Sequence, residues 1–344
     1  MSPKPRRSRR RRLVHGLLLP LSLIPLVGVV PLIAQAYTQF DRRHKSGPIA
    51  APVVRFTPWE NARYTPLPAH PEAVPVLTYH GIDDKNDGYS VDQRTFAKQM
   101  ALLRRMGFRS LSIAQYARFL RGDRRGLPRR PVLITFDDGR LDSFRGADRV
   151  LQRYGFRATM FVIAGAISPD NPFYLSWKEL RGMEDSGRWD LQEHAGDGHY
   201  LVNYDAAGHT GPFYAFRRYT SSAGIEPIAD WEQRVVTDIF AGRAALAEHL
   251  PRFQPLTFAV PYGNYGQRKT NDPRIPEIMR AFLQRQFEAV FVQKVGNQPR
   301  YTSQRSYRGE AVRFEVHTDT SVDDLYRWVR DQAPMTVGPP TPGA

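Results

Sequence analysis

The sequence predicts an α/β protein, a distorted (β/α)7 barrel that follows an N-terminal transmembrane or signal helix. Short apolar strands alternate with amphipathic helices over residues 74–330, a pattern typical of parallel strands joined by helical crossovers. Seven strand candidates in this order fit one barrel better than two domains. Polar side chains follow several of these strands directly, where parallel barrels carry their catalytic groups.

The N-terminal segment, residues 1–36, combines a basic stub with an apolar run. Seven basic residues lie in the first twelve positions, and Leu13–Ala36 contains no Asp, Glu, Lys or Arg. About 20 apolar residues cross a bilayer, and the preceding positive charge places the rest outside the cytoplasm. We predict a single-pass membrane anchor. Because Ala34-Gln35-Ala36 is typical of a cleavage site, a cleaved signal peptide and secretion are the alternative.

The remaining chain divides into a linker, one domain and a tail. Residues 37–73 are rich in proline and charge and predict an extended linker. The catalytic domain is expected over residues 74–331 and a disordered tail over residues 332–344. Predicted strands are Val74–Tyr79, Val132–Phe136, Ala158–Ile163, Trp189–Gln192, Leu256–Val260, Ala289–Val292 and Val312–Val316. Predicted helices are Thr95–Met106, Ile113–Arg121, Ser143–Tyr154, Trp177–Ser186, Trp231–Leu250, Pro276–Gln286 and Val322–Arg330.

Charge and cysteine content limit the classes of partner and metal site. The formal net charge is +15, but without the first twelve residues 42 basic residues face 34 acidic ones. This moderate excess suits a protein near anionic lipids or cell-wall polymers. Nucleic-acid binding is not predicted, because no recognition motif is present. The chain has no cysteine, so a metal must be bound by His, Asp or Glu.

Two adjacent aspartates end the second strand candidate. In the sequence PVLITFDDG, Asp137 and Asp138 follow Val132–Phe136 and precede Gly139. Successive side chains of a strand point in opposite directions, so the two carboxylates can have different roles. One can bind a metal while the other accepts a proton. The alternative is a surface turn, because Asp-Gly is common in turns.

Two histidines follow the fourth strand candidate, in His194-Ala-Gly-Asp-Gly-His199. The two glycines allow a turn that brings both imidazoles to one point, and neutral imidazole is the commonest biological metal ligand. Two histidines with one carboxylate leave coordination positions open for water and substrate. We therefore predict a divalent metal bound by Asp138, His194 and His199. Two surface histidines in a loop are the alternative.

These residue types together indicate metal-assisted hydrolysis of an amide or ester. A bound divalent metal lowers the pKa of water and polarises a substrate oxygen. The unligated carboxylate of Asp137 is expected to take a proton from that water. A backbone N–H, that of Tyr262, is the candidate donor to the oxyanion. The residues alone do not name the substrate.

The same residues resemble the motifs of the polysaccharide deacetylase family, also called carbohydrate esterase family 4 or NodB-homology proteins. Thr135-Phe-Asp-Asp-Gly139 is similar to the first motif, His194 and His199 to the second, and Val260-Pro-Tyr-Gly263 to the third. The resemblance covers about Val74–Arg330. The five-residue spacing of the histidines is similar to that of the poly-N-acetylglucosamine deacetylase branch.

The resemblance implies a role for each candidate residue. Asp137 would be the base, Asp138 a metal ligand and the backbone of Tyr262 the oxyanion donor. The family's late motif supplies a histidine acid, and His317 lies at a suitable strand end; a polar strand-end residue is the alternative. His80 is a second candidate for a polar role near the metal. The expected metal is zinc, with cobalt, nickel or iron as alternatives.

One position departs from the family pattern. The third motif carries an arginine three residues before the tyrosine, where this chain has Ala259. Arg140 or Arg305 could replace it in orienting Asp137. Aromatic side chains of the long segment after His199 could stack on sugar rings or could pack that segment onto the barrel. The substrate-binding residues that we predict are Trp177, Pro261, Tyr265 and Tyr214.

The predicted function is that of a metal-dependent hydrolase removing N-acetyl groups from an extracellular amino-sugar polysaccharide similar to poly-N-acetylglucosamine. Deacetylation of peptidoglycan or an O-acetyl esterase activity is one alternative. A membrane-anchored glycan-binding protein with little turnover is another. A basic surface protein that binds nucleic acid or teichoic polymers is a further alternative. The expected partners are the polysaccharide, the cytoplasmic membrane and the machinery of exopolysaccharide synthesis.

Overall fold

A computed structural model describes residues 47–69, 71–168, 171–293, 302–303 and 309–330. The predicted anchor or signal segment, residues 1–36, and the predicted tail, residues 332–344, lie outside these ranges. Within these ranges, no helix has both the length and the apolar character that a membrane crossing requires.

The described residues form short strands and longer helices. The strands are β1 (Ala73–Val74), β2 (Val76–Tyr79), β3 (Arg109–Ser110), β4 (Pro131–Phe136), β5 (Ala158–Ile163), β6 (Trp189–Ala195), β7 (Leu201–Asn203), β8 (Thr210–Pro212), β9 (Tyr219–Thr220), β10 (Gly224–Ile225), β11 (Thr257–Ala259), β12 (Ala289–Gln293), β13 (Thr302–Ser303) and β14 (Glu310–Glu315). The helices are α1 (Pro58–Arg63), α2 (Gln93–Arg105), α3 (Ile113–Leu120), α4 (Leu141–Tyr154), α5 (Trp177–Asp185), α6 (Ile228–His249), α7 (Ile275–Gln286) and α8 (Val322–Arg330).

Seven of the strands in the described ranges close into a parallel barrel. Their order around the barrel is the order of the chain: β2, β4, β5, β6, β11, β12 and β14, and β14 pairs with β2. The short strand β3 pairs in parallel with the start of β4. Helical crossovers make this parallel arrangement possible, and the predicted (β/α)7 barrel is confirmed.

Side chains alternate between the interior of the barrel and the helical layer. In β4, Leu133 belongs to the interior cluster, while Val132 and Phe136 pack in the cluster beneath the helices. Helix α3 contributes Tyr116 to the interior cluster, and its ring centroid lies 5.6 Å from that of Phe291. Apolar packing therefore fills one end of the barrel, and the polar strand ends lie at the other.

Helix α1 lies within the segment that was predicted to be an extended linker. Thr57 and Glu60 form a capping box at its start, which satisfies backbone N–H groups that would otherwise lack partners. Tyr64, directly after the helix, is buried, and its carbonyl accepts a hydrogen bond from Arg105 at 2.6 Å. The described part of this segment therefore packs against the domain through α2.

The segment between β6 and α6 forms two antiparallel hairpins, β7–β8 and β9–β10. The side chain of Asn271 bonds the backbone of Arg217 in both directions, and the guanidinium of Arg217 pairs with Asp272 at 2.9 Å. These contacts hold the hairpins against the loop that follows β11, and so they shape one side of the barrel mouth.

Candidate metal and catalytic site

A cavity of about 350 Å³ opens at the carboxyl ends of the barrel strands. Five strands supply its polar lining directly or through the residue that follows them: β2, β4, β6, β12 and β14. The loop after β11 adds an exposed tyrosine. The predicted residues that line the cavity are His80, Asp137, Asp138, His194, His199 and Tyr262.

The three predicted metal ligands converge in this cavity. The Nε2 atoms of His194 and His199 lie 3.5 and 3.4 Å from Oδ1 of Asp138. One potential ligand atom from each residue lies within 4.8 Å of the other two. Ligand atoms about 2.0–2.2 Å from a shared zinc ion have comparable separations, so the spacing fits a single divalent ion.

Hydrogen bonding and backbone geometry prepare these side chains for metal binding. The Nδ1 atom of His194 lies 2.7 Å from the carbonyl oxygen of Ala259, so Nδ1 carries the proton and Nε2 presents its lone pair. Asp138 has φ of 73°, a strained conformation that persists where surrounding structure imposes it. Oδ1 of Asp138 is buried and accepts no hydrogen bond from the described residues. The site thus directs unshared electron pairs at one point.

The charges around the three ligands favour a cation between them. Burial would lower the pKa of His194, but the nearby carboxylates of Asp137 and Asp138 raise it above its ordinary value. Burial raises the pKa of Asp138, but the adjacent imidazole of His194, together with the charges of His80 and His199, lowers it by more, so that the pKa lies below its ordinary value. The carboxylates therefore remain ionised at neutral pH, and the site stabilises positive charge.

Asp137 forms a buried ion pair with an arginine that the sequence analysis missed. Nη1 of Arg313 lies 2.7 Å from Oδ1 of Asp137, and the two side chains are 1% and 3% exposed. Burial alone would raise the pKa of Asp137, but the charge of Arg313, with those of His194 and His80, lowers it. Arg313 therefore keeps the candidate base ionised beside the metal ligands.

Neither arginine proposed from the sequence fills this position among the described residues. Arg140 also lines the cavity, but its guanidinium pairs with Asp87 at 3.3 Å and with Asp142 at 2.8 Å. Arg305 lies outside the described residues. The prediction for Arg140 is therefore wrong, because its guanidinium is bound by Asp87 and Asp142 and not by Asp137.

Tyr262 lies at the mouth of the cavity with a left-handed backbone. Its φ and ψ are 58° and 10°, and its ring is stacked on that of His199 with the centroids 4.7 Å apart. The next residue, Gly263, also has positive φ, and a Cβ there would lie 2.6 Å from Gln293. Strained backbone at a barrel mouth is common at functional sites, and the oxyanion role of the Tyr262 backbone stays a prediction.

The two candidate acid histidines differ in position. His80 lines the cavity, and its Nε2 lies 3.9 Å from Oε1 of Glu315. His317 lies outside the cavity lining, with its Nε2 3.6 Å from the other oxygen of Glu315 and its Nδ1 3.2 Å from the carbonyl of Gly88. Of the two histidines, His80 is therefore in position to reach a substrate bound beside Asp137.

The structure corrects two of the predicted substrate contacts. Tyr214 and Tyr265 are both 0% exposed, so neither ring can stack on a sugar. The hydroxyl of Tyr214 donates to Asp238, and that of Tyr265 donates to Glu310. The rings of both tyrosines pack in the core, and a carboxylate accepts the hydrogen bond of each buried hydroxyl.

Trp177 and Pro261 also lie outside the cavity lining. The ring of Trp177, the first residue of α5, stacks on His249 with centroids 4.1 Å apart. Pro261 is buried, and it starts the turn that presents Tyr262. Their predicted contacts with substrate are therefore not supported. Of the exposed aromatic side chains, Tyr89 and Tyr262 line the cavity, Tyr200 directly follows His199 in the sequence, and the ring centroid of Phe173 lies 4.8 Å from the guanidinium of Arg140.

Comparison with known proteins agrees with this geometry. Residues 124–274 match the family described as polysaccharide deacetylase. A poly-beta-1,6-N-acetyl-D-glucosamine N-deacetylase of Escherichia coli strain K12 is 26% identical over 205 residues, which are 55% of this chain and 30% of the relative. The chain thus spans about a third of the length of the Escherichia coli relatives it matches.

Solved structures share the fold. The structure of IcaB from Ammonifex degensii is similar with a TM-score of 0.57 and 28% identity, covering 75% of this chain and 97% of that one. A de-N-acetylase of Aggregatibacter actinomycetemcomitans has a TM-score of 0.60 at 18% identity, covering 74% and 99%. The family match over residues 124–274 includes the motifs that converge at the barrel mouth, so this part of the chain is similar to a polysaccharide deacetylase domain.

Proposed function

We propose that this protein is a metal-dependent N-deacetylase of an extracellular polymer of N-acetylated amino sugars, similar to poly-β-1,6-N-acetylglucosamine. The observation that carries the proposal is the convergence of Asp138, His194 and His199 beside the buried pair of Asp137 and Arg313. Similarity to the poly-beta-1,6-N-acetyl-D-glucosamine N-deacetylase of Escherichia coli supports the choice of polymer.

The three ligands suit zinc, with cobalt, nickel or iron as alternatives. A divalent ion at this position would lower the pKa of water and polarise the acetyl carbonyl. Asp137, ionised by its pairing with Arg313, takes the proton of the attacking water. The backbone N–H of Tyr262 donates to the oxygen that develops negative charge. His80 then donates a proton to the leaving amine nitrogen, and the products are acetate and a free amino sugar.

The rim of the cavity supports a polymeric substrate. The rings of Tyr89 and Tyr262 are 47% and 40% exposed, and both line the cavity. Tyr200 and Phe173 add exposed aromatic surface outside it. Aromatic rings present a flat apolar face, so these side chains can stack on the apolar faces of sugar rings on either side of the reacting unit.

The cellular setting of this activity belongs to the same proposal. The apolar segment Leu13–Ala36, with its preceding arginines, supports a single-pass anchor in the cytoplasmic membrane and an extracytoplasmic catalytic domain. Secretion after cleavage of that segment is the alternative. In either location the domain reaches a surface polymer, and the exopolysaccharide synthesis machinery is a natural neighbour.

The test is acetate release by the full-length protein, purified in mild detergent and loaded with zinc or cobalt. The substrates are poly-β-1,6-N-acetylglucosamine, peptidoglycan and an O-acetylated glycan, and the control is Asp137→Asn. We expect acetate and new primary amines from the amino-sugar polymer, with both lost in the variant. No acetate from any substrate, with one metal per chain verified by elemental analysis, overturns the proposal.

The other outcomes identify the alternatives. Acetate from peptidoglycan alone, or without new amines, indicates a peptidoglycan deacetylase or an O-acetyl esterase. Glycan binding without hydrolysis indicates a binding protein. The binding-protein alternative arose because Ala259 stands where the family has an arginine. Arg313 pairs with Asp137 instead, so the missing arginine no longer argues against catalysis.

A further inference from the structure

The turn between the two metal-ligand histidines lies directly against helix α6. A Cβ added to Gly242 of α6 would lie 2.8 Å from the backbone nitrogen of Gly196 and 2.9 Å from the carbonyl oxygen of Ala195. A Cβ added to Gly196 would lie 2.5 Å from the carbonyl oxygen of Asp238. The helix and the turn therefore meet backbone to backbone, a contact that only glycine permits on both sides.

The carboxylate of Asp238 spans this contact. It accepts hydrogen bonds from the backbone N–H of Gly196 at 3.0 Å and of Asp197 at 2.6 Å. The hydroxyl of Tyr214 donates to the same carboxylate. Asp238 precedes Gly242 by one helical turn, so both face the same side of α6. One side chain thus binds two consecutive amides of the turn and a buried hydroxyl.

The rest of the turn leaves His199 little freedom. The N–H of His199 donates to the carbonyl oxygen of Asp197 at 2.7 Å. A Cβ added to Gly198 would lie 2.7 Å from the ring of Phe213 and 2.8 Å from the carboxylate of Asp238. Because His194 is fixed at the end of strand β6, the path of this turn decides where the second imidazole lies.

We propose that Asp238 is a positioning residue of the metal site. Its carboxylate holds the Gly196–Asp197 amides so that His199 reaches the ion bound by His194 and Asp138, and it thereby accommodates the five-residue spacing of the two histidines. The inference rests on the proposed metal-binding function of those three residues. Tyr214, which the sequence analysis assigned to substrate, acts here by orienting the Asp238 carboxylate.

The experiment compares metal affinity in full-length variants. Asp238→Asn keeps the size of the side chain but removes one acceptor oxygen and its charge, and Asp238→Ser removes the contact altogether. Asp148→Asn is the matched control, because Asp148 is also a helical aspartate and is buried, and its carboxylate accepts hydrogen bonds from Arg188 and Trp189 and not from the turn. The readouts are the Co²⁺ dissociation constant by chelator competition, the visible spectrum of bound Co²⁺ and the melting temperature of the metal-free protein.

We expect both Asp238 variants to bind Co²⁺ about 10- to 100-fold more weakly, which is the usual effect of losing an outer-sphere partner of a metal ligand. The Co²⁺ spectrum should change with them. Asp148→Asn should lower the melting temperature to a similar extent, because it also weakens the hydrogen bonds of a carboxylate, while its Co²⁺ affinity stays within about threefold of wild type. Affinities of the Asp238 variants within that same range overturn the inference.

A measurement on the wild-type protein covers the case in which the Asp238 variants do not fold. The inference predicts slow hydrogen exchange of the Gly196 and Asp197 amides in the metal-free protein, because Asp238 holds both before the ion binds. Exchange at the rate of an open loop overturns it. A wild-type protein that binds no metal overturns the proposed function as well, whereas normal binding with indifferent Asp238 variants overturns the positioning role alone.

Discussion

Replacing Arg313 by Gln tests how the candidate base is kept ionised. The two charges of the Asp137–Arg313 pair are in contact, with Nη1 2.7 Å from Oδ1 and both side chains buried. At an effective dielectric constant of about 20 and a charge separation of about 4 Å, the attraction is about 4 kcal/mol. Loss of that attraction favours the neutral acid, so the pKa of Asp137 should rise, and relaxation and water entry make the rise smaller than the full attraction would give.

The consequence appears in the pH dependence of deacetylation. Catalysis needs the Asp137 carboxylate, so the acidic limb of kcat/KM should move towards higher pH in Arg313→Gln. If the shifted acidic limb lies above pH 7, kcat/KM of Arg313→Gln at pH 7 falls by up to about 100-fold, and it recovers at alkaline pH. The assay is acetate release from an N-acetylglucosamine oligomer between pH 4 and 10. Arg313→Lys retains a positive charge and should give a smaller shift.

The control removes a positive charge from the same cavity without touching Asp137. Arg268 lines the cavity but is exposed, and solvent screens its charge. Arg268→Gln should therefore leave the acidic limb within about 0.3 unit of wild type. An Arg313→Gln enzyme that folds and keeps its acidic limb in place, or an equal shift in Arg268→Gln, refutes the reasoning.

Four further substitutions test other parts of the site. His80→Asn should lower kcat by about 100- to 1,000-fold, because it removes the candidate acid. His317 lies outside the cavity, so His317→Asn should change kcat by less than about threefold. Steady-state kinetics measure both values, and a larger loss in His317→Asn than in His80→Asn would assign the acid to His317. Tyr89→Ala should raise KM for a pentasaccharide about 5- to 20-fold with kcat nearly unchanged, and an equal rise for a monosaccharide would argue against stacking. Gly263→Ala should lower the free energy of unfolding by about 2 kcal/mol or more, because φ at this residue is 58° and the added Cβ would lie 2.6 Å from Gln293. Denaturant titration measures this change, and an unchanged unfolding midpoint would contradict the prediction.

The barrel and its three candidate metal ligands were predictable because their signals are local. Asp137 and Asp138 directly follow an apolar run, and His194 and His199 follow the strand two further along the barrel. In a parallel barrel all such ends lie on one side. The convergence of these residues therefore follows from the fold class, without knowledge of any individual contact.

The arginine partner of Asp137 was missed because the contact is long-range. Arg313 lies 176 residues further along the chain, and its neighbours in the sequence carry no motif. Its own strand contained a signal: in β14, Ala311, Arg313 and Glu315 alternate with the apolar Val312 and Phe314. Period-two alternation in a barrel strand indicates that the polar set faces the interior, so an inward arginine could have been inferred.

The predicted substrate contacts failed for a different reason. Tyrosine is a residue type that often stacks on sugars, but tyrosine rings also pack in protein cores. Only the hydrogen-bond partners of the Tyr214 and Tyr265 hydroxyls distinguish a core residue from a sugar-binding one. Those partners, Asp238 and Glu310, are distant in sequence. Helix α1 was missed similarly, because a capping box at Thr57 and burial of Tyr64 outweigh a proline-rich composition.

The most direct test of the metal site is the position of a bound ion. A crystal of the cobalt-loaded protein, measured at the cobalt absorption edge, should give one strong anomalous peak per chain at the barrel mouth. We predict that it lies about 2.0–2.2 Å from a carboxylate oxygen of Asp138 and from Nε2 of both His194 and His199. An ion bound elsewhere, or no peak at this position with active, cobalt-loaded protein, would contradict the account.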